Sequence, residues 1–309
     1  MGKSGQRRAR RNEPFYKKIQ RTTTPHIYLE RELIRLEKLG NDARHLWADF
    51  QNYLAEEREK VLDQILDSLV LKATPDFLAE NYSRIVGSKF STTPLSSKGS
   101  YLSPPGGRFN FGQSISYHAY FPALYVASEY DVAFAERFHL KKGHLIENGL
   151  TTEDLSLRKP ESFTHQRVNL KLDKVLDLRV QDAVNDFFEI IRHIKMPNIY
   201  SEQAKKLRMD MNIINTPELL YRSVLDPDYT QWDTWIDQPS PSQWFGHYVR
   251  LAGIQGVIYP SLRSDAGHNV AVFLDKFEDT ESFVMLTDDC DFVKNDLRRV
   301  DAKNFSNFI

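Results

Sequence analysis

PPGGRFNFG, residues 104–112, stands in the middle of a chain that has only 14 glycines in 309 residues. Two adjacent glycines, Gly106 and Gly107, free the backbone for left-handed conformations and for close approach of a ligand. Arg108 adds a planar set of donors suited to phosphate. Taken alone, the segment reads first as a Pro-Gly turn carrying a solvent-facing arginine and second as a pyrophosphate cradle. It is neither a Walker loop, which needs Gly-Lys-Ser/Thr, nor a G-x-G-x-x-G dinucleotide fingerprint.

Outward from this loop the chain changes character. Before it, HIYLERELIRLEKLG has helical spacing and is expected to stop at Gly40, and EEREKVLDQILDSLVL places Val61, Leu62, Ile65, Leu66 and Leu69 on one stripe. Pro75 closes this region, and ENYSRIVGSKF from Glu80 alternates like a half-buried strand. After the loop, PALYVAS reads as a short strand and SEYDVAFAERFHL as a helix with Ser128 as its N-cap. VNLKLDKVLDL is an alternating strand, 181–243 a helical and loop insertion, and GIQGVIYPS and HNVAVFLD two further strands. Short strands with irregular connections argue for an α+β fold with a helical N-terminal extension. The expected organisation is a basic flexible tail at 1–14, a helical extension at 15–80, a catalytic domain at 81–280 with its insertion at 181–243, and a C-terminal segment at 281–309.

Composition sets limits. Lys and Arg total 41 against 42 Asp and Glu, so charge arguments must be local. Five cations in MGKSGQRRARRNEP make the tail a conceivable nucleic-acid arm. One cysteine, Cys290, leaves no internal disulfide framework and reads as a small, partly buried hydrophobe in a reduced, bacterial or cytoplasmic setting. No apolar run is long enough for a membrane helix and no secretory signal is read at the start, so cytoplasmic localisation without a membrane partner is expected. The nine histidines show no metal-ligand spacing, and no metal is expected. Ser261 lacks the glycines of a hydrolase nucleophile elbow. Glu136 falls just outside the stripe of Tyr130, Ala133, Phe134 and Phe138, so its carboxylate faces either a cleft or water.

The order YSRIV, GGRFNFG, ALYVASEYDVAFAERF, GVIYPS and NVAVF resembles the RES-domain family, named for an arginine, a glutamate and a serine. The loop is one residue shorter between Asn110 and Gly112 than the family pattern, and the resemblance covers roughly 82–274. It implies a fold like that of ADP-ribosyltransferase toxins and an enzyme acting on NAD, cleaving the nicotinamide–ribose bond as a toxin held in check by an antitoxin or immunity partner. Carried over residue by residue, Arg84 and Arg108 hold the phosphates, with Gly107 and Asn110 in the binding loop, and Tyr125 orients the nicotinamide ribose. Glu136 stabilises the developing positive charge, and Ser261 positions the substrate or the incoming nucleophile. NAD is then a substrate, with no resident cofactor. Inorganic phosphate as co-substrate makes the protein an NAD phosphorylase, water a glycohydrolase, and a macromolecular acceptor an ADP-ribosyltransferase. A non-enzymatic partner- or nucleic-acid-binding protein is the reading from a different class.

Overall fold

A computed structural model describes residues 27–102, 104–115, 119–138, 162–264 and 267–309, with the side chains of 27–33, 233 and 234 left aside. The basic tail at 1–14 lies outside the described residues. Helix α1 spans Ile27–Glu59 and α2 Leu62–Lys72. They are followed by strand β1 (Thr74–Gly87), the short helix α3 (Lys98–Leu102), β2 (Leu124–Ala127), helix α4 (Tyr130–Arg137) and β3 (Phe163–Asp177). Helices α5 (Asn185–Ile191), α6 (Asn198–Leu207), α7 (Pro217–Val224), α8 (Gln231–Ile236) and α9 (Pro241–Leu251) come next, and strands β4 (Gly256–Pro260), β5 (His268–Val272), β6 (Phe283–Leu286) and β7 (Arg299–Asp301) complete the chain.

The strands make one mixed sheet. β1 runs antiparallel to β3 along most of its length and touches β2 at Ser83 and Ala127. β2 pairs antiparallel with β5, β5 antiparallel with β4, and β4 parallel with β3. The five strands thus close on themselves in the order β1-β2-β5-β4-β3, while β6 and β7 continue the sheet from β3. Alternation along each strand separates two apolar cores. Leu124, Val126, Ile258, Val270 and Val272 belong to one, packed with Val168, Leu170 and Phe277. Tyr125, Tyr259 and Ala271 belong to the other, which is completed by α2, α5, α7 and α9 through residues such as Ile65, Phe187, Leu220 and Phe245. A third core joins α1 to α6 through Leu46, Phe50, Ala204 and Met211.

The mixed helix-and-sheet architecture agrees with the α+β expectation. Several local expectations change. Gly40 does not stop α1, which continues to Glu59. A glycine in a helix interior costs only about 1 kcal/mol, whereas burying a side chain the size of Leu46 or Phe50 contributes about 1.5–3 kcal/mol. The change from helix to sheet falls at Ala73 and Thr74, so the first strand begins inside the stretch read as a helical extension. Pro75 ends the helix yet sits within β1, and a register shift between Ala79 and Tyr82, with Asn81 at φ 58°, marks a bulge in that strand. Ser128 does not cap α4. Glu129 holds the cap position without a side-chain bond, and the Ser128 hydroxyl accepts the backbone N–H of His268 instead. The helices read as an insertion supply much of one core, and the C-terminal segment supplies β6 and β7.

Candidate active site

The loop at 104–112 is held from inside by three side chains. Asn110 is fully buried and its Nδ2 donates to the carbonyls of Ser100, Phe111 and Phe121 at 3.2, 3.3 and 3.0 Å. Its Oδ1 accepts from the backbone N–H of Gly107 at 3.1 Å and from the Tyr125 hydroxyl at 2.8 Å. That hydroxyl also accepts the N–H of Phe109 at 2.9 Å. On the opposite side Gln243, 1% exposed, points Nε2 at the carbonyls of Pro105, Gly107 and Asn110, at 3.0, 3.2 and 3.1 Å. Its Oε1 accepts the N–H of Ser240 in a capping box that starts α9. Phe109 and Phe111 turn into the core.

The glycines are required by this packing. Gly106 has φ +100°, and a Cβ at Gly107 would lie 2.4 Å from the Tyr125 hydroxyl and 2.5 Å from Asn110 Oδ1. What leaves the knot is Arg108. It is 4% exposed, donates through Nη1 to the carbonyl of Asp226, and lies 4.6 Å from the centre of the Tyr229 ring. Among the described residues no carboxylate pairs with it. A buried guanidinium held by a carbonyl and a ring keeps its charge available to an anion.

Arg108 opens onto a cavity of about 380 Å³, which Arg84, Lys89, Arg137 and Glu136 also line. Arg84, on β1, is fixed by three carbonyls: Nε donates to Pro94, Nη1 to Tyr125 and Nη2 to Ser96, at 2.5, 2.7 and 2.9 Å. Burial, helped by the positive charge of Arg137, pushes its pKa down to about 10, so it still carries a proton at neutral pH. Burial also pushes the phenols of Tyr125, Tyr229 and Tyr259 up, so all three remain neutral.

Glu136 sits on the side of α4 whose preceding turn, Val132 and Ala133, is buried, which directs its carboxylate toward β5. Oε1 accepts three bonds: from the Ser261 hydroxyl at 3.1 Å, the N–H of Leu262 at 3.2 Å and Asn269 Nδ2 at 3.2 Å. Among the described residues Oε2 accepts none, and Glu136 is the only acid lining the cavity, against four cations. One carboxylate oxygen is clamped and the other faces the cavity.

All the expected residues meet at this place, but two have different surroundings from those expected. Ser261, 8% exposed, does not line the cavity. It stands behind Glu136, donating to it and accepting the N–H groups of Arg263 and Ser264 in the turn after β4. Tyr125 uses its hydroxyl to hold the loop and presents only its ring to the cavity. The sequence reading overlooked three residues. Asn269 lies within the quoted HNVAVF strand, and Gln243 was legible as the fourth residue of the capping-box pattern Ser240-x-x-Gln243. Tyr229 gave no signal, because only the folded chain brings it over Arg108.

The model of the RES domain matches residues 187–289 of this chain. The match includes Gln243, Ser261 and Asn269 and runs through most of the stretch read as an insertion. It begins beyond Arg84, Arg108, Tyr125 and Glu136, which the fold brings to it. No curated protein matches the chain. Among solved structures, a chain from the crystal structure of the M. tuberculosis MbcT–MbcA toxin–antitoxin complex is similar at 15% identity, over 79% of this chain and 96% of that one, with a TM-score of 0.39.

Proposed function

We propose that this protein is an NAD-degrading enzyme that breaks the bond between nicotinamide and ribose, the toxin half of a toxin–antitoxin pair, on an ADP-ribosyltransferase-like core. The observation that carries the reading is the half-clamped carboxylate of Glu136 in a cavity whose other charged lining residues, among those described, are the cations Arg84, Lys89, Arg108 and Arg137. Cleavage of this bond builds positive charge on the ribose as the bonding electrons leave with nicotinamide. A carboxylate whose Oε1 is fixed by three donors cannot rotate away, and its free Oε2 is preorganised to face that charge. Arg108, with Arg84 behind it, supplies the counter-charge for a pyrophosphate. Ser261 and Asn269 are positioning residues in this scheme, acting through Glu136. The Tyr125 ring forms part of the wall beside the ribose while its hydroxyl keeps the loop in shape.

Four cations against one carboxylate are more than a single pyrophosphate needs, which favours inorganic phosphate over water as the acceptor. A phosphate oxygen then bonds to the ribose carbon that nicotinamide leaves, giving nicotinamide and a phosphorylated ADP-ribose. The test is NAD consumption by the wild type and Glu136→Gln, each with and without phosphate, following nicotinamide and the ribose product. Phosphate-dependent consumption that falls by at least about 10²-fold in the variant, the scale of losing one preorganised electrostatic group, is the expected result. Phosphate-independent loss identifies a glycohydrolase, and undiminished turnover by Glu136→Gln removes Glu136 from the chemistry.

A further inference from the structure

A second cavity, of about 310 Å³, lies among α1, α5, α7 and α9 and shares no lining residue with the first. Its wall is aromatic and apolar: Trp47, Phe187, Trp232, Trp244 and Tyr248 line it, with one cation, Arg58. Size and lining match those of small-molecule sites, which combine an apolar wall with a few placed polar groups. The guanidinium of Arg58 is held in place, with Nε donating to the Tyr248 hydroxyl at 3.1 Å and the group lying 5.3 Å from the centre of the Trp244 ring. Its Nη2, however, is buried and has no acceptor among the described residues. A buried donor left unpaired is costly, and a planar fork is matched by a carboxylate. The one acid along the wall, Asp210, is exposed to solvent.

We propose that this cavity binds a small monocarboxylate with an aromatic or branched apolar body, its carboxylate on Arg58 and its body among the tryptophans. A neutral apolar occupant would leave Nη2 unpaired. The site also has a direct path to the loop. Trp244 follows Gln243 in α9, and Gln243 is the side chain that gathers the three loop carbonyls next to Arg108. An occupant that shifts the first turn of α9 therefore moves Arg108. This consequence rests on the function proposed above, whereas binding itself does not.

Three of the four tryptophans line the cavity, so intrinsic fluorescence reports on it directly. The full-length protein is titrated with phenylacetate, 4-methylpentanoate and the neutral phenylacetamide. The expected result is a saturable change with at least one of the acids and about tenfold or more weaker binding of the amide, the scale of one charge-assisted contact. Arg58→Gln should bring acid and amide to equal affinity. Val224→Phe, which fills the cavity from α7, should abolish both, with circular dichroism confirming the fold of each variant. No saturable change with either acid, equal affinity for acid and amide in the wild type, or binding unaltered by Val224→Phe each overturns the proposal. In the same samples, the acid should change the KM for NAD in the wild type and not in Val224→Phe. An enzyme inactive under every condition would refute the proposed function and leave the fluorescence result standing.

Discussion

Replacing Gln243 by Met keeps the length and volume of the side chain and removes its polar head. The loss can be worked out from the partners left behind. The carbonyl of Pro105 also accepts the N–H of Gly112 at 3.0 Å, and that of Gly107 accepts the N–H of Asn110 at 3.4 Å, so both retain a bond. Among the described residues the carbonyl of Asn110 and the N–H of Ser240 have no other partner besides Gln243. Two buried backbone groups would be orphaned, at about 1–3 kcal/mol each, for a loss of about 2–6 kcal/mol. Urea unfolding followed by tryptophan fluorescence reads this difference, provided the slope of the transition is unchanged. A loss under about 1 kcal/mol would show that the loop holds its shape without Gln243 and would remove the structural link between α9 and Arg108.

Three further outcomes rest on the same geometry. Asn269→Ala and Ser261→Ala each remove one of three donors to Glu136 Oε1; a charge-assisted bond of about 1.5–3 kcal/mol corresponds to a roughly 10–100-fold fall in kcat for nicotinamide release. A raised KM with unchanged kcat would instead put these side chains on the substrate. Gly40→Ala should stabilise the protein by about 0.5–1 kcal/mol, because a Cβ there meets nothing within 4 Å in a continuous helix; thermal unfolding checks it, and a lowered Tm would argue that α1 does break at Gly40. His165 and His268 both have pKa values pushed down by burial, with Arg179 adding to the effect at His268. The unfolded chain then takes up protons at a higher pH than the folded one, so stability is level above about pH 6.5 and falls as the pH drops through the unfolded value toward the lowered one. Urea midpoints at pH 7.5 and 5.5 should differ less in His268→Gln than in the wild type.

Much of this arrangement was legible along the chain, and the reasons differ by element. Period-2 alternation marked β1 and β3, short apolar runs marked β2, β4 and β5, whose two faces enter two different cores, and the stripe Val61, Leu62, Ile65, Leu66, Leu69 marked α2. The paired glycines and the buried asparagine of the loop signalled a backbone with special demands. What local pattern could not carry is what long-range packing decides: that α1 passes through Gly40, that β1 starts at Thr74 to pair with β3, and that Ser128 bonds to β5 rather than capping α4. The role of Ser261 was hidden for the same reason. From sequence it is a hydroxyl after a proline, and only the approach of α4 turns it toward Glu136, 125 residues away.

The closure of the five strands has a temporal consequence. β1 and β2 are made early, but their ring is completed by β4 and β5, and the donors to Glu136 all come from the stretch between Ser261 and Asn269. Pairings between such distant segments form slowly and late. During synthesis from the N-terminal end, Glu136 emerges long before anything can hold it. The chain accordingly gains its anchored carboxylate only once Asn269 has emerged, and a nascent or prematurely ended product that stops before β5 carries the arginines and the glutamate as separate, idle parts.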